Sequence, residues 1–294
     1  MINSQKSYSI QPFGQLYLVP TPIGNLEDMT FRGVRTLSEV DLIAAEDTRN
    51  TQKLLNHFEI KTPQLSFHEH NSRERIPQLI ERLKNGESIA QVSDAGMPSI
   101  SDPGHDLVLA CLQEQIAVIP LPGANAGVTG LIASGLAPQP FYFYGFLPRQ
   151  KKERKEALEQ LNQHQETTIL YESPHRLKEV LKAMVDVFGT QRQVVLCREL
   201  TKKFEEFLRG TLEEALTWAN ESDIRGEFCL FLEGNKEGSR VTEQDAEWEN
   251  WSILEHVEQL IANQLSSKEA IKEVAKVRGL KKQEVYHVYH VEND

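Results

Sequence analysis

The stretch that decides the fold runs from Ser88 to Gly104 and reads SIAQVSDAGMPSISDPG. It begins with an apolar run typical of a buried strand, continues through turn-forming residues and leads into the helix-like segment HDLVLACLQ. A strand, a Gly/Pro loop and a helix form the order in which an α/β sheet presents its backbone to a ligand. The Asp94 carboxylate in this loop is suited to accept hydrogen bonds from a ribose or an amine. The structural alternative is a capped turn in which Asp94 bonds to its own backbone.

The composition is that of an ordinary globular protein of 294 residues, 39% hydrophobic and 26% charged. This length is sufficient for two domains and a small appendage. Cys111, Cys197 and Cys229 lie far apart and outside any CxxC spacing, which indicates a reducing compartment and neither a disulfide framework nor a zinc site. There is no apolar segment of a signal peptide, and no run approaches the roughly 18 apolar residues of a membrane span. We therefore expect a cytoplasmic protein with no membrane contact.

The net charge of −11 argues against a protein that coats nucleic acid non-specifically, because such binding needs many cations on one surface. It does not exclude a nucleic-acid substrate, since basic residues cluster at 149–155 and 266–290. The second cluster holds six lysines and arginines against three glutamates. Both clusters have an alternative interpretation as solvated helix faces.

The first half of the chain alternates apolar runs with helical patterns, for example at 30–37 and 76–84. This alternation predicts an open, mostly parallel five-stranded sheet. The predicted strands are 15–20, 41–45, 64–67, 89–92 and 116–121.

A cluster of polar or small residues follows each of these strands. Parallel strands bring their carboxyl ends to one edge of a sheet, so we expect the five clusters to line one cleft. The clusters are Ile23-Gly24-Asn25, Glu46-Asp47-Arg49, His68 to Asn71, Asp94 to Met97, and Asn125-Ala126.

A Pro-containing linker, 136–140, separates this sheet from a second series of short β-branched and aromatic runs. Helical patterns lie between those runs, which predicts a second α/β domain with strands of mixed direction. The turns at 172–176 and 225–227 are expected to face the first domain across a cleft. The predicted strands are 141–146, 167–171, 193–197, 204–209 and 227–232.

The patterns divide the chain into four segments. These are an N-terminal extension, 1–14, an N-terminal α/β domain, 15–136, a second α/β domain, 137–238, and a helical tail, 239–294. In the tail, an apolar stripe on Trp248, Trp251, Leu254, Val257 and Ile261 predicts a first helix.

Two further short helices are predicted at the end of the tail. Ser266 and Glu269 have capping-box spacing before the second helix, and Gly279 ends it. The third helix, 281–291, carries Tyr286, His287, Tyr289 and His290, and the pair resembles a helix-turn-helix. Two interpretations stay open: a small bundle that packs on the body or on a partner subunit, and a module that contacts RNA.

Eight ordered blocks of sequence, over roughly residues 15–235, carry a resemblance to a known family. They resemble the bacterial 16S rRNA (cytidine 2′-O)-methyltransferases, which belong to the tetrapyrrole methylase-like class of S-adenosylmethionine enzymes. The first loop departs from the Gly-Pro-Gly-Asp-like turn of the tetrapyrrole-acting relatives, which favours the RNA branch. The blocks are LYLVPTPIGNLEDMT, AAEDTRNTQKLL, SFHEHN, VSDAGMPSISDPG, PLPGANA, YESPHR, CRELTKKFEEFLRGTLEEA and GEFCLFLEG.

The resemblance implies methyl transfer from S-adenosylmethionine to the ribose 2′-hydroxyl of a decoding-site cytidine in 16S rRNA, within the 30S subunit. It also implies a homodimer. No metal is implied, since the leaving group is a neutral thioether and no Cys/His cluster is present. By motif position, Ile23 and Gly24 flank the cofactor, Asp94 and Met97 bind its ribose or methionine portion, Asn125 and Ala126 supply backbone contacts, and Glu172 and Glu227 mark the second-domain side.

The implied chemistry is in-line displacement at a methyl carbon, for which alignment of the reacting atoms is the larger expected contribution. A ribose hydroxyl is a poor nucleophile at neutral pH, and a side chain that accepts its proton adds ~10²–10⁴-fold. The candidate catalytic residues are Asp47, Glu46 and His68 as proton acceptors, and Arg49 as the group that orients a phosphate. The structural alternatives are helix caps for Glu46 and Asp47, a packing role for His68, and an ion pair of Arg49 with Asp47.

Two other functions stay open. A methyltransferase that acts on a tetrapyrrole would need a wide apolar cleft but would not require the helical tail. A non-enzymatic ribosome-assembly factor would have a vestigial cleft and no affinity for S-adenosylmethionine.

Overall fold

A computed structural model describes residues 4–7, 12–101, 104–236, 251–263 and 265–291. Trp248, part of the apolar stripe of the tail, lies outside these ranges. The chain forms two compact units, 1–234 and 235–294. The two α/β parts therefore share one unit, and the domain boundary at residue 136 stays a prediction.

Five parallel strands form the first sheet, as the alternating pattern predicts. The strand order is β3-β2-β4-β1-β5. The strands are β1 (Leu16–Leu18), β2 (Leu42–Ala45), β3 (Gln64–Ser66), β4 (Ile89–Val92) and β5 (Val118–Pro120). The helices between and after them are α1 (Phe31–Glu39), α2 (Thr48–His57), α3 (Ser72–Lys84), α4 (His105–Gln113) and α5 (Ala126–Ser134).

Both faces of this sheet are buried, because parallel strands need helical crossovers that cover them. On one face Leu16 packs in a cluster with Leu79 of α3 and Leu107 of α4. On the other face Ile43 shares a cluster with Leu37 of α1. Helix α3 begins before the predicted start at residue 76, since its polar first turn carries no apolar periodicity.

The second sheet is mixed, also as predicted. Its order is β6-β7-β10-β8-β9, with β6 parallel to β7 and the other neighbours antiparallel. The strands are β6 (Phe141–Phe146), β7 (Thr167–Glu172), β8 (Gln193–Arg198), β9 (Glu206–Thr211) and β10 (Phe228–Leu232), and the helices are α6 (Lys151–Leu161), α7 (Pro174–Phe188) and α8 (Leu212–Glu221).

Helix α5 packs directly on the second sheet. A Cβ at Gly130 would lie 2.5 Å from Cζ of Phe231, so only glycine permits this approach. One turn earlier, the Gly127 amide donates a hydrogen bond of 3.0 Å to the Tyr171 hydroxyl. The helix that follows the last strand of the first sheet, β5, therefore packs on the second sheet.

The basic segment 149–155 leads into helix α6 and contains both exposed and buried cations. Lys152 and Lys155 are exposed and pair with glutamates one turn on, at 3.9 and 3.7 Å. Arg154, by contrast, is 2% exposed and forms an ion pair with Glu179 of α7. The alternative of a solvated helix face fits the lysines, and Arg154 is a buried packing residue.

In its described residues, 251–263 and 265–291, the C-terminal unit has the short helices α9 (Ile253–Ala262), α10 (Ser267–Val277) and α11 (Lys282–Val291) around a small apolar core. The predicted capping box is present, since the Glu269 carboxylate accepts hydrogen bonds from the Ser266 amide and hydroxyl at 3.2 and 2.5 Å. Gly279, with φ of +66°, follows α10 as predicted. Among the described residues, no helix is long and apolar enough to cross a membrane.

Candidate active site

A cleft of about 520 Å³ lies where the first sheet, helix α5 and the second sheet meet. Four of the five predicted clusters contribute to it, because the carboxyl ends of the parallel strands share one edge. This volume is within the range of small-molecule sites. It is lined by Ile23, Glu46, Asp94, Ala95, Gly96, Met97, Ile100, Ser101, Asn125, Ala126, Phe146, Tyr171, Glu172, Ser173, Pro174, Cys197, Leu200, Glu227, Phe228 and Cys229.

The loops after β1 and β4 are fastened to each other at the cleft. The Thr21 and Gly96 amides each donate to the other residue's carbonyl at 3.0 Å, and the Thr21 hydroxyl donates to the Ser93 carbonyl at 3.1 Å. Gly96 has φ of +79°, and a Cβ there would lie 3.3 Å from Cγ2 of Ile23. The backbone turn at Gly96 thus brings Met97 and the Ile23 side chain into the same wall.

Glu46 and Asp94, from the loops that follow β2 and β4, are joined beside this bridge. The Asp94 amide donates to Oε2 of Glu46 at 3.1 Å, and the Asn50 side chain donates to Oδ2 of Asp94 at 3.2 Å. Asp94 is exposed where it lines the cleft. Its carboxylate is therefore accessible to a ligand.

Asn125 caps helix α5 at the floor of the cleft. Its side-chain oxygen accepts a hydrogen bond of 2.9 Å from the Val128 amide, as an N-cap does. The cap fixes the conformation of the loop at Asn125 and Ala126, both of which line the cleft.

Glu172 is a buried carboxylate in the wall contributed by the second sheet. Its side chain is 2% exposed; Oε1 accepts a hydrogen bond of 2.8 Å from the Ser173 amide, and Arg176 lies 3.6 Å from Oε2. Among the described residues, Oε2 has no hydrogen-bond donor. Burial raises the pKa of Glu172 above its ordinary value. A buried acceptor without a donor, in a cleft wall, is typical of a site that a ligand completes.

Glu227 and Gly24 are joined through one lysine. The Lys202 ammonium lies 2.9 Å from carboxylate oxygens of both Glu199 and Glu227. The aliphatic part of Lys202 lies against Gly24, where a Cβ would be 2.4 Å from Cγ of Lys202. Gly24 itself lines a smaller adjoining pocket of about 230 Å³, together with Asp94.

Of the four candidate catalytic residues, only Glu46 lines the cleft. Asp47 caps helix α2: its Oδ1 accepts from the Arg49 amide at 2.8 Å, and the Arg49 guanidinium donates to both carboxylate oxygens at 3.1 and 2.7 Å. These side-chain hydrogen bonds from Arg49 lower the pKa of Asp47 to about 2. The structure therefore contains both structural alternatives that the sequence left open: Asp47 caps helix α2, and Arg49 forms an ion pair with Asp47. Their catalytic roles stay predictions.

His68 also lies outside the cleft lining. Its backbone amide donates to the Asn71 side-chain oxygen at 2.9 Å, and its Nε2 lies 3.3 Å from the Asn71 side-chain nitrogen. Its Nδ1 is buried and has no hydrogen-bond partner among the described residues. A catalytic role of His68 stays a prediction.

Several lining residues are absent from the sequence prediction. Phe146 and Tyr171 come from the aromatic β6 and from β7, and Cys197, Leu200 and Cys229 come from the antiparallel strands β8 and β10 and the adjoining loop. The carboxyl ends of parallel strands meet at one edge of a sheet, but those of antiparallel strands do not. The positions of these residues of β8 and β10 therefore could not be predicted in the same way. Among the described residues no group of three His, Cys, Asp or Glu side chains is arranged to hold a metal ion.

The fold and the cleft define the class. The family model described as Tetrapyrrole (Corrin/Porphyrin) Methylases matches residues 15–216, and the chain is a methyltransferase of this class. A solved structure, uroporphyrin-III C-methyltransferase from Thermus thermophilus complexed with S-adenosyl homocysteine, shares the fold with a TM-score of 0.54 at 18% identity, over 78% of this chain and 100% of that one.

The chain belongs to the ribosomal RNA small subunit methyltransferase I family. It is 57% identical to the member from Halalkalibacterium halodurans over 99% of this chain and 100% of the relative. It is 55% identical to the member from Bacillus subtilis over 99% of both chains.

Proposed function

We propose that this enzyme transfers a methyl group from S-adenosylmethionine to the ribose 2′-hydroxyl of a decoding-site cytidine in 16S rRNA, within the small ribosomal subunit. The observation that carries this proposal is the composition of the cleft. Its walls hold four carboxylates, Glu46, Asp94, Glu172 and Glu227, among apolar side chains. A donor with a sulfonium, an ammonium, a ribose and an adenine matches this mixture of acidic and apolar surface.

The donor supplies an activated methyl group with a neutral leaving group, and the chain's residues hold and orient it. Asp94 is the accessible acceptor for ribose hydroxyls, and the unsatisfied Oε2 of Glu172 is an acceptor for a buried donor group. Met97, with Ile23 behind the Gly96 turn, provides apolar surface. Gly24, Asn125 and Ala126 shape the backbone beside it, and Glu227 contributes a further acceptor on the opposite wall.

Glu46 is the side chain we assign to accept the proton of the 2′-hydroxyl. It is the one candidate in the cleft lining, and its Oε2 is anchored by the Asp94 amide. Asp47 is a weaker base, because a carboxylate with a pKa of about 2 has little tendency to take a proton at neutral pH. The remaining rate enhancement comes from the cleft walls, which align the ribose hydroxyl with the methyl group and the sulfur of the donor.

The RNA is expected to be recognised as part of a structured particle in the cytoplasm. A chain with a net charge of −11 binds arbitrary RNA weakly, so shape and local cationic groups must provide the affinity. We also propose a homodimer. Exposed apolar side chains on helix α5 and strand β6, such as Ile132 and Phe141, support this assembly.

The test uses small subunits from cells that lack this enzyme, radiolabelled donor, and a porphyrinoid as the competing acceptor. The expected result is one methyl group on a 16S rRNA ribose and none on the porphyrinoid. Methylation of the porphyrinoid alone would establish the tetrapyrrole alternative. Calorimetry of donor binding addresses the assembly-factor alternative, since a vestigial cleft gives no heat.

A further inference from the structure

We infer that the β8–β9 loop, residues 199–205, is a binding site for a nucleobase next to the target nucleotide. In this inference Phe204 is the stacking surface and Lys203 contacts a phosphate. It rests on the proposed function, because the ligand is the RNA substrate.

The β8–β9 loop forms part of the rim of the cleft. Leu200 of the loop lines the cleft, as does Glu227, whose carboxylate receives the Lys202 ammonium at 2.9 Å. Lys202 also packs on Gly24 of the first loop. The loop that carries Lys203 and Phe204 is therefore joined to the cleft through Leu200 and Lys202.

The loop is held in a strained conformation. Glu199 and Thr201 have φ of +51° and +66°, values that non-glycine residues seldom adopt and that are enriched at functional sites. Main-chain pairing of Glu199 with Glu227, at 3.0 Å, and the hydrogen bond of 2.7 Å from the Thr201 amide to Glu205 hold the loop in place. The geometry is thus fixed before any substrate binds.

This rigid loop presents an aromatic ring to solvent. Phe204 is 70% exposed, and the Lys203 ammonium lies 5.5 Å from the ring centroid. Lys202 is occupied by two carboxylates, whereas Lys203 has no carboxylate partner among the described residues. An exposed ring beside an uncompensated cation, in a protein of net charge −11, is complementary to a base and its phosphate.

Single-stranded RNA is the partner class that this pair of groups fits. Sequence-specific RNA recognition mostly uses single-stranded segments with unstacked bases, and a nucleotide that leaves the stack to enter the cleft exposes the face of the neighbouring base. An aromatic side chain replaces the lost stacking without regard to base identity, and a cation beside it follows the backbone. Phe204 and Lys203 supply these two functions at the cleft rim.

The main experiment compares F204A, F204W and K203A with the wild-type full-length enzyme. KM and kcat for unmethylated small subunits are measured, together with subunit binding by pelleting in the absence of donor and donor affinity by calorimetry. We expect F204A to raise KM and the subunit Kd by about 10- to 100-fold, as the loss of one stacked base does. In F204W both KM and the subunit Kd should lie within about threefold of the wild-type values. In K203A the slope of log K for subunit binding against log salt concentration should fall by about one, the contribution of one phosphate contact.

F31A is the matched control, since Phe31 on α1 is 99% exposed and lies outside the loop. Unchanged KM and Kd in F204A would overturn the inference, as would equal defects in F204A and F204W. A wild-type enzyme that methylates no rRNA would instead overturn the proposed function, and the pelleting measurement would still test the loop. Photo-crosslinking from p-benzoylphenylalanine at position 204 should label 16S rRNA, and labelling of a ribosomal protein alone would contradict the inference.

Discussion

The Asp94 amide donates a hydrogen bond of 3.1 Å to Oε2 of Glu46, across 48 residues of sequence. This bond joins the loops that follow the neighbouring strands β2 and β4. It fixes the Glu46 side chain at the cleft edge and leaves the Asp94 carboxylate directed by Asn50. Glu46, which we assign to accept the hydroxyl proton, and Asp94, which we assign to bind the methyl donor, are therefore held together by one hydrogen bond.

Replacement of Glu46 by Gln should remove the proton acceptor while it keeps an oxygen for the Asp94 amide. We expect single-turnover methylation to fall by ~10²–10⁴-fold, the usual contribution of a general base. Donor affinity should change by less than about threefold, because the hydrogen bond that orients Asp94 persists. Rapid-quench kinetics and calorimetry on the same variant separate the two effects.

D47N and H68A are the comparison variants for that measurement. With Glu46 as the proton acceptor, both variants should keep most of the wild-type rate, because Asn retains the cap of helix α2 and His68 lies outside the cleft lining. A catalytic role of Asp47 or His68 predicts the opposite result. A loss in D47N or H68A as large as that in E46Q would contradict the assignment of Glu46.

Replacement of Glu172 by Gln should stabilise the protein at neutral pH. The pKa of Glu172 is raised by burial, so its ionised form is disfavoured in the folded state. Below the ordinary glutamate pKa of 4.5 the carboxyl is protonated in the folded and the unfolded protein, and burial of Glu172 then carries no penalty for a charge. As the pH rises through the pKa of Glu172 in the folded protein, the buried carboxylate ionises and the free energy of unfolding falls.

The measurement is the Tm of wild type and E172Q across that pH range. The two Tm values should converge at acidic pH, and E172Q should melt higher at neutral pH. A lower Tm of E172Q at neutral pH would show that Arg176, at 3.6 Å, compensates the buried charge fully.

The sequence predicts both sheets and the convergence of five polar clusters, of which four line the cleft and the His68 to Asn71 cluster does not. The correct part of the prediction depends on apolar runs and the parallel-strand rule, which need only local pattern and simple topology. It does not predict which member of a cluster faces the cleft. Glu46 and Asp47 are neighbours, yet one lines the cleft and the other turns back to cap α2. The burial of Glu172 likewise depends on tertiary packing around the end of β7, which no local pattern records.

The contact between Gly24 and Lys202 predicts a specific effect of adding one methyl group. In G24A the Cβ would lie 2.4 Å from Cγ of Lys202, at a φ of +149°. Displacement of Lys202 disturbs its pair with Glu227, so we expect donor affinity to fall by about tenfold, a loss of roughly 1.4 kcal/mol. Calorimetric titration with donor measures this directly.

The double variant G24A/K202A and the variant G86A separate the causes. Alanine at 202 removes the clashing Cγ, so the double variant should show a coupling of about 0.5–3 kcal/mol in the thermodynamic cycle. Gly86 has φ of +94° with no atom within 4 Å of a built Cβ, so G86A reports backbone strain alone and should leave donor affinity unchanged. Purely additive effects in the cycle would rule out the Gly24–Lys202 contact as the cause.

The buried Arg154 predicts that the basic segment before and within α6 is structural. Arg154 is 2% exposed and paired with Glu179 of α7, whose own side chain is 62% exposed. R154A removes this pair and the packing of the aliphatic stem, and we expect a loss of about 2–3 kcal/mol in the free energy of unfolding, less than for a fully buried pair. Urea denaturation of R154A provides the value.

K155A is the matched control on the same helix. Lys155 is exposed and pairs with Glu159 at 3.7 Å, so its replacement should change the free energy of unfolding by no more than about 0.5 kcal/mol. Subunit binding should be equal in K155A and wild type if this face is only solvated. A binding defect in K155A together with unchanged stability would instead assign this helix face to the RNA.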